Sequence, residues 1–383
     1  MTTTSTRLTA VRAEGTGPAP EAVAQLVAAL RDGLAGRIPN LLMFFASSTY
    51  EPTDIVGPLA DEFATSVVIG CSTAGEFTDH VSGDGGISAI ALPDSVIVRS
   101  GAALAELHSD TTAGMLSAIS SVERSLGKTL RSLDPANHVG FVLIDGMHGA
   151  EEAINDALGN AAPFLDIVGA SAGDDLAFKE TWVSVGHQVS FRGAALVVCE
   201  TAVPFTVLKT CTLVPTGKTL RVTRADVADR TVHEFNDRPA TEAYAEAVGR
   251  PVAELDSSVF MAHPLGVMVD GAPFVRSPQL VTSDGAIRFY CQIVEGMEVD
   301  VMQSGDIVAD TSAAFTAAVD GLGGTVSGAV LFNCILRRLE LDATGRTQDF
   351  VDVFTGVPVA GFHSYGESWL GHMNQTLTGV LFA

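Results

Sequence analysis

Apolar residues recur in two periods along this chain, and the alternation between the periods lays out its elements. Short runs rich in β-branched residues read as buried strands, and apolar positions three and four apart read as the inner faces of helices. Leu8 to Val11 predicts an edge strand, and Pro18 to Pro20 introduces a helix with Val23, Leu26, Val27, Leu30 and Leu34 on one face. Leu41 to Phe45 is the first strongly apolar strand. Thr53 is placed to cap a helix carrying Ile55, Leu59 and Phe63, with Pro58 marking where its regular part begins. Ser66 to Ile69 returns as a strand and completes a β–α–β unit.

The unit is predicted twice more. Val139 to Ile144, a helix through Ile154 and Leu158, and Leu165 to Val168 make one copy. Ala329 to Phe332, a helix with Phe350, Val351 and Phe354, and Val357 to Ala360 make the other. Between the first and second units, Ile87 to Leu92 and Ser95 to Arg99 read as paired strands about Pro93-Asp94, and Thr112 to Leu126 reads as a helix. Gly186-His187, Asp270-Gly271 and Asp284-Gly285 predict hairpin turns, with Ala194 to Cys199, Leu220 to Val222, Thr231 to Phe235 and Thr376 to Phe382 as further strands. Ala240 to Val248 and Ile307 to Val319 read as helices. The fold class is α/β: a layered architecture of mixed sheets built from repeated β–α–β units, with two related sheet systems packed face to face and helices outside.

Each unit ends in the same kind of turn. Gly70-Cys71-Ser72-Thr73-Ala74-Gly75-Glu76, Gly169-Ala170-Ser171-Ala172-Gly173-Asp174 and Gly361-Phe362-His363-Ser364-Tyr365-Gly366-Glu367 all run from a glycine through small and polar residues to a second glycine and an acid. The ordinary structural role of such glycines is close backbone approach, with the acid as a solvated cap. Recurrence at three strand ends argues for more, because α/β sheets gather ligands there. Cys71, Ser72, Thr73 and Glu76, then Ser171, Asp174 and Asp175, then His363, Ser364, Tyr365 and Glu367 are the candidate ligand-binding residues.

Composition narrows the partners. At 383 residues two domains are expected, and Pro204 to Gly217 offers the boundary. The charges are 22 basic against 45 acidic, a net −23 that repels nucleic acid and anionic lipid. No run approaches the roughly 20 apolar residues of a membrane span, and the N-terminus lacks the apolar stretch of a signal peptide. The five cysteines, with no C-x-x-C pair, suit reduced thiols in a cytoplasm, each acting as a small buried hydrophobe.

Few residues carry a reactive signature. Gly169-Ala170-Ser171-Ala172-Gly173 matches the G-x-S-x-G elbow, which needs a following helix, whereas Asp174-Asp175-Leu176-Ala177-Phe178 predicts a turn and a strand. His148 and Glu151, three apart, share a helix face, but two ligands make no metal site. The glycine turns lack the lysine of a P-loop and the spacing of a dinucleotide fingerprint. Arg276, and Arg337-Arg338 behind Asn333-Cys334, stand out in so acidic a chain. Ion pairing at the surface is their ordinary role, and bidentate recognition of a ligand carboxylate is the functional one.

Taken in order, these pieces resemble a known family. The first two turns are similar to the hallmark turns of the FIST N-terminal domain. Val222-Thr223-Arg224, Arg238-Pro239-Ala240, Phe274-Val275-Arg276-Ser277, Val294-Glu295-Gly296, Asn333-Cys334 and Gly361 to Glu367 resemble the FIST C-terminal domain. The resemblance implies a sensory module of intracellular signal transduction that binds a small ligand such as an amino acid, and it adds Asn333 and Cys334 to the candidates. Some bacterial relatives bind haem and sense nitric oxide, with His363 the residue best placed here as an axial ligand. The chain departs from the family in lacking the glycine often found between Cys334 and Arg337.

The expectation is therefore a cytoplasmic binding protein, not an enzyme, with neither metal nor resident cofactor. Its partners are a small molecule and a separate signalling protein, not nucleic acid or membrane. A haem-binding nitric oxide sensor and a hydrolase using Ser171 or Cys71 are the alternatives. Residues 1–24 form an arm and the start of the first helix, 25–203 a FIST N-like domain, 204–218 a linker and 219–383 a FIST C-like domain.

Overall fold

Three parallel strand pairs organise the chain. In this computed structural model, which describes residues 10–108, 110–269 and 271–383, Leu41–Ser47 lies beside Val67–Thr73, His138–Ile144 beside Asp166–Ser171, and Gly328–Cys334 beside Val359–Ser364. Helices Pro52–Glu62 and Glu151–Ala161 cross over the first two pairs, and Ile335–Thr344 with Thr347–Asp352 crosses over the third. All three predicted β–α–β units are present. Next to each pair comes an antiparallel strand, Gly86–Leu92, Gly193–Thr201 or Leu377–Phe382, and then an outer strand, Val11–Thr16, Ile97–Glu106 or Phe205–Thr210.

The remaining edge of each sheet is completed by another unit. After the first turn, Glu76–Thr78 pairs with Val359–Ser364 of the third sheet. After the second, Val183–Val185 pairs with Val67–Thr73 of the first. After the third, Glu367–Ser368 pairs with Asp166–Ser171 of the second. Three six-stranded sheets are thereby closed into a ring, each holding a hairpin made by a neighbour.

Their inner faces meet in one apolar core. Met43, Phe45 and Ile69 come from the first sheet, Phe141, Leu143 and Val197 from the second, and Phe332, Phe362 and Val380 from the third. The rings of Phe45, Phe332 and Phe362 lie 4.9, 5.4 and 6.1 Å from one another. Each such buried side chain contributes about 1.5–3 kcal/mol. Helices cover the outer faces: Leu26 and Leu30 pack on Phe44, Met115 and Ile154 on Val142, and Phe315 and Phe354 on Leu331. The α/β class, the mixed sheets and the outer helices are as expected. The related sheets number three around a shared core, rather than two face to face, because every turn exports its hairpin.

An inserted eight-stranded sheet interrupts the third unit between Phe205–Thr210 and the helix Ile307–Gly321. It runs from Leu213–Asp226 to Glu298–Ser304, and packs Val222, Phe235 and Leu265 against Tyr244 and Phe260 of its own short helices. Residues 205–210 and 213–215, expected in a linker, are laddered into strands. Their prolines fit all the same, Pro204 preceding a strand and Pro215 beside an irregularity in the ladder.

Other differences are local. Ile87–Leu92 and the strand after Pro93 belong to different sheets, with the Asn40 amide bonded to the carbonyls of Ile97 and Val98 at 2.8 Å across the gap. The second helix begins at Pro52, where a fixed φ is preorganised, so Glu51 and not Thr53 precedes it and Pro58 lies inside. Leu8, Thr9 and Asp270 of the expected elements lie outside the described residues.

Packing at the turns allows no added bulk. A Cβ on Gly361 would overlap the Leu331 carbonyl oxygen and come within 2.5 Å of the Phe77 ring. Gly361→Ala is expected to cost about 1–3 kcal/mol and lower Tm by several degrees. Gly159→Ala, on an exposed helix surface with nothing within 4 Å, is expected to gain about 0.5–1 kcal/mol. Calorimetry showing equal Tm for the two variants would contradict this packing.

Candidate functional site

Strand register places Thr73, Ser171 and Ser364 at equivalent points, opposite Ser47, Ile144 and Cys334. Three residues on stand Glu76, Asp174 and Glu367. The turns they belong to are tied to one another through the backbone. Ala74 N–H donates to His363 O at 3.0 Å and His363 N–H to Gly75 O at 2.8 Å. Ser171 N–H donates to Gly366 O at 2.8 Å, Tyr365 N–H to Ser171 O at 3.1 Å, and Gly173 N–H to Ser72 O at 3.2 Å. Gly75 makes its part possible with φ +102°, a conformation that a side chain would strain. Arg338 clasps the result, donating to Ala74 O at 2.6 Å and reaching Asp175 at 3.4 Å and Asp84 at 3.1 Å.

The acids of the first and third turns point inward. Glu76 accepts from the Thr73 hydroxyl and, at 3.1 Å, from Gly86 N–H. Glu367 accepts from Ser364 Oγ at 2.5 Å, and from Thr376 N–H and Oγ at 3.2 and 2.6 Å. Burial pushes Glu76 up to about 8 and Glu367 up to about 7, against the hydrogen bonds that oppose the shift. Glu76 borders only a small cavity of about 70 Å³. The second turn differs. Ser171 Oγ donates to Glu151 at 3.1 Å, while Asp174 accepts N–H bonds from Phe178, Lys179 and Glu180 at 2.9, 2.6 and 3.1 Å.

These placements bear on the alternatives. Ser171 and Cys71 are wholly buried, Ser171 meets a carboxylate in place of an imidazole, and burial pushes the Cys71 thiol well up. No helix follows Asp174, so the elbow match lacks its geometry. His363 is also buried. Its Nδ1 accepts from Asn333 Nδ2 at 3.0 Å, which leaves the proton on Nε2, 3.0 Å from Ser82 Oγ. Burial drives its pKa well below the usual imidazole value. With both nitrogens engaged, His363 has no lone pair to offer an iron. Asn333 Oδ1 also receives Arg337 Nε at 2.8 Å, and Thr212 and Thr311 receive the rest of that guanidinium at 3.1 and 2.7 Å. Arg276 sits apart, donating to His372 O at 2.9 Å.

The principal cavity lies beside this knot, between the three-sheet body and the inserted sheet, with a volume of about 650 Å³. Of the sequence candidates, Tyr365 and Cys334 line it. Met147, His148, Leu176, Phe178 and Leu336 share the body wall, and Gln279, Arg288, Phe289 and Tyr290 share the wall of the insert. His148 Nδ1 is bonded to buried Asp145, which also accepts from Thr181 Oγ and Met147 N–H. Among the described residues His148 Nε2 and the Arg288 guanidinium have no partner. Arg230 bridges insert and body, reaching Glu151 at 2.6 Å, Glu152 at 2.5 Å and Tyr290 O at 2.6 Å. His148 and Glu151, expected on one helix face, both line the cavity, but His148 lies in the turn before the helix Glu151–Ala161; Arg288 and Phe178 stand in no motif. Among the described residues no group of three or more His, Cys, Asp or Glu could hold a metal ion.

A ring of three mutually completed β–α–β units, bearing an inserted sheet with a ligand-sized cleft at the junction, defines a two-part α/β cleft protein. The chain belongs to the FIST family: the FIST N domain matches residues 40–238 and the FIST C domain residues 240–369. FIST domains are associated with sensory signal transduction. A comparison with curated proteins finds no match. The border between the two matched domains falls within the inserted sheet, just before the helix Ala240–Val248. Among the described residues no helix is long and apolar enough to cross a membrane.

The raised pKa of Glu76 has a measurable sign. The unfolded chain loses this proton near 4.5 and the native state holds it to about 8, so the stability it contributes is complete below 4.5 and is lost as pH rises to about 8. Glu76→Gln presents an uncharged amide that can accept from Gly86 and donate to Thr73. Its Tm is expected to match wild type at pH 5 and to exceed it by several degrees at pH 9. Parallel Tm profiles would show that Glu76 is ionised throughout.

Proposed function

We propose that this protein is a ligand-receiving sensor whose ligand is a small polar organic molecule, such as an amino acid, held in the cleft between body and insert. Arg288 carries the proposal. In a chain with 45 acidic and 22 basic residues, a cavity-lining guanidinium that is paired with no carboxylate of the protein is open to the carboxylate of a ligand. The cavity of about 650 Å³ falls in the range of about 300–1,000 Å³ usual for ligand pockets. Gln279, Tyr290, Ser257 and Ser258 add neutral hydrogen-bonding groups. The turn residues then act mainly as a frame that fixes Tyr365 and Cys334. Binding next to the Arg230 bridge couples occupancy to the junction of the two parts, where a separate signalling protein reads it. Five free cysteines suit a reducing cytoplasm.

One observation favours haem as a second reading. His148, anchored on Asp145 with Nε2 open, stands beside Met147, Leu336 and Leu339 in the cavity. A carboxylate behind an imidazole is the arrangement that orients axial ligands. His148 would hold the iron, and the haem would supply gas binding.

Calorimetric titration with the twenty amino acids is expected to find a ligand that Arg288→Gln weakens about tenfold or more, the equivalent of one charge-assisted hydrogen bond. An unchanged affinity in that variant would put the ligand elsewhere. For haem, a sharp Soret band on adding ferrous haem is expected to vanish in His148→Ala; persistence of the band removes His148 from the reading.

A further inference from the structure

The segment after the second turn holds two apolar side chains in an unfavourable way. Asp175, Leu176 and Phe178 have φ of +51°, +65° and +49°, a region that crowds any side chain. Leu176 and Phe178 remain 40% and 45% exposed, on the cleft wall. Both features oppose folding, yet the segment is tightly fixed. Asp174 gathers the N–H groups of Phe178, Lys179 and Glu180 and the hydroxyl of Tyr365, and Tyr365 Oη accepts Leu176 N–H at 2.7 Å. Phe178 lies on the Tyr365 ring, with centroids 5.0 Å apart and planes 22° from parallel. The result is a rigid two-ring shelf whose upper member is open to the cleft.

We infer that the ligand of this cleft carries a flat aromatic ring and a single negative charge, the ring lying on Phe178 and the anion on Arg288. This rests on the reading of the cleft as the ligand site and narrows it to one chemical class. A ring face fixed in advance binds another flat ring without the entropy lost in ordering a mobile side chain. The opposite wall supplies Phe289 and Tyr290 next to Arg288. Of the two carboxylates lining the cavity, Glu151 and Asp229, the first is already matched by Arg230. The Arg288 guanidinium matches one carboxylate, and the net charge of −23 disfavours a multiply charged anion.

The test uses matched pairs of acids on the full chain: indole-3-acetate and naphthalene-2-carboxylate against cyclohexylacetate and decahydronaphthalene-2-carboxylate, with indole-3-acetamide as the uncharged control. Affinities are read by ligand-observed NMR. The aromatic acids are expected to bind at least about tenfold more tightly than the saturated acids and the amide, one decade per 1.4 kcal/mol. Phe178→Leu, which keeps apolar bulk without a ring, is expected to erase the aromatic preference while leaving Tm unchanged. Arg288→Gln is expected to erase the preference for acid over amide. Saturated acids binding as well as aromatic ones would overturn the inference and leave the cleft as the ligand site. Failure of every acid to bind would overturn the inference, and failure of the twenty amino acids as well would overturn the reading of the cleft on which it rests.

Discussion

Backbone hydrogen bonds among the three turns are the constraint on which the structure depends. Each strand pair ends in the middle of the molecule, where its N–H and C=O groups have no water to bond. The turns satisfy one another, and this requires close approach: Ala74, Ala172 and Gly173 are small because another backbone lies against them. The same closeness drives the acids of the first and third turns indoors. It also fixes the direction of Tyr365, whose peptide belongs to the knot and whose hydroxyl reaches the cleft wall. Frame and cleft are therefore continuous through a single residue.

Buried charge is handled in two ways, and the contrast separates frame from junction. Arg337 is wholly buried among neutral oxygens, and burial lowers its pKa. Arg230 faces two carboxylates. Burial alone would raise Glu151, but His372 and Arg230 hold it below the ordinary carboxylate range. Removing one partner of such a buried pair commonly costs about 3–5 kcal/mol, so the bridge keeps insert and body in a defined relation. An Asn amide can orient a guanidinium inside a rigid core, whereas joining two parts of a chain calls for opposite charges.

Much of the architecture was legible in the residues. Apolar runs such as Leu41 to Phe45 and Val139 to Ile144 have one sensible use, and the glycines that follow them mark turns. What escaped was long-range. Nothing at Glu76–Thr78 says that its partner is Val359–Ser364, because an edge strand three residues long carries no address. His363 looked available because the polar groups that engage it, Asn333 and Ser82, are remote in sequence. The cleft escaped for a related reason. Its walls are drawn from the body and from an insertion, so Arg288 and Phe178 become neighbours of one space only after both parts have folded.

The exchange of hairpins also sets a timetable for synthesis. On the ribosome, the first unit makes its hairpin early and has no place of its own to put it, because Thr78 pairs with Ala360. The first sheet in turn waits for Val183–Val185 before its edge is covered. Until the last strands emerge, the nascent chain carries open edges of the kind that invite mispairing and call on chaperones. The first sheet has all of its strands once Gln188–Ser190 has emerged, but the second and third wait for Glu367–Ser368 and Leu377–Phe382, so a chain stopped before its last strands leaves two of the three sheets open instead of one.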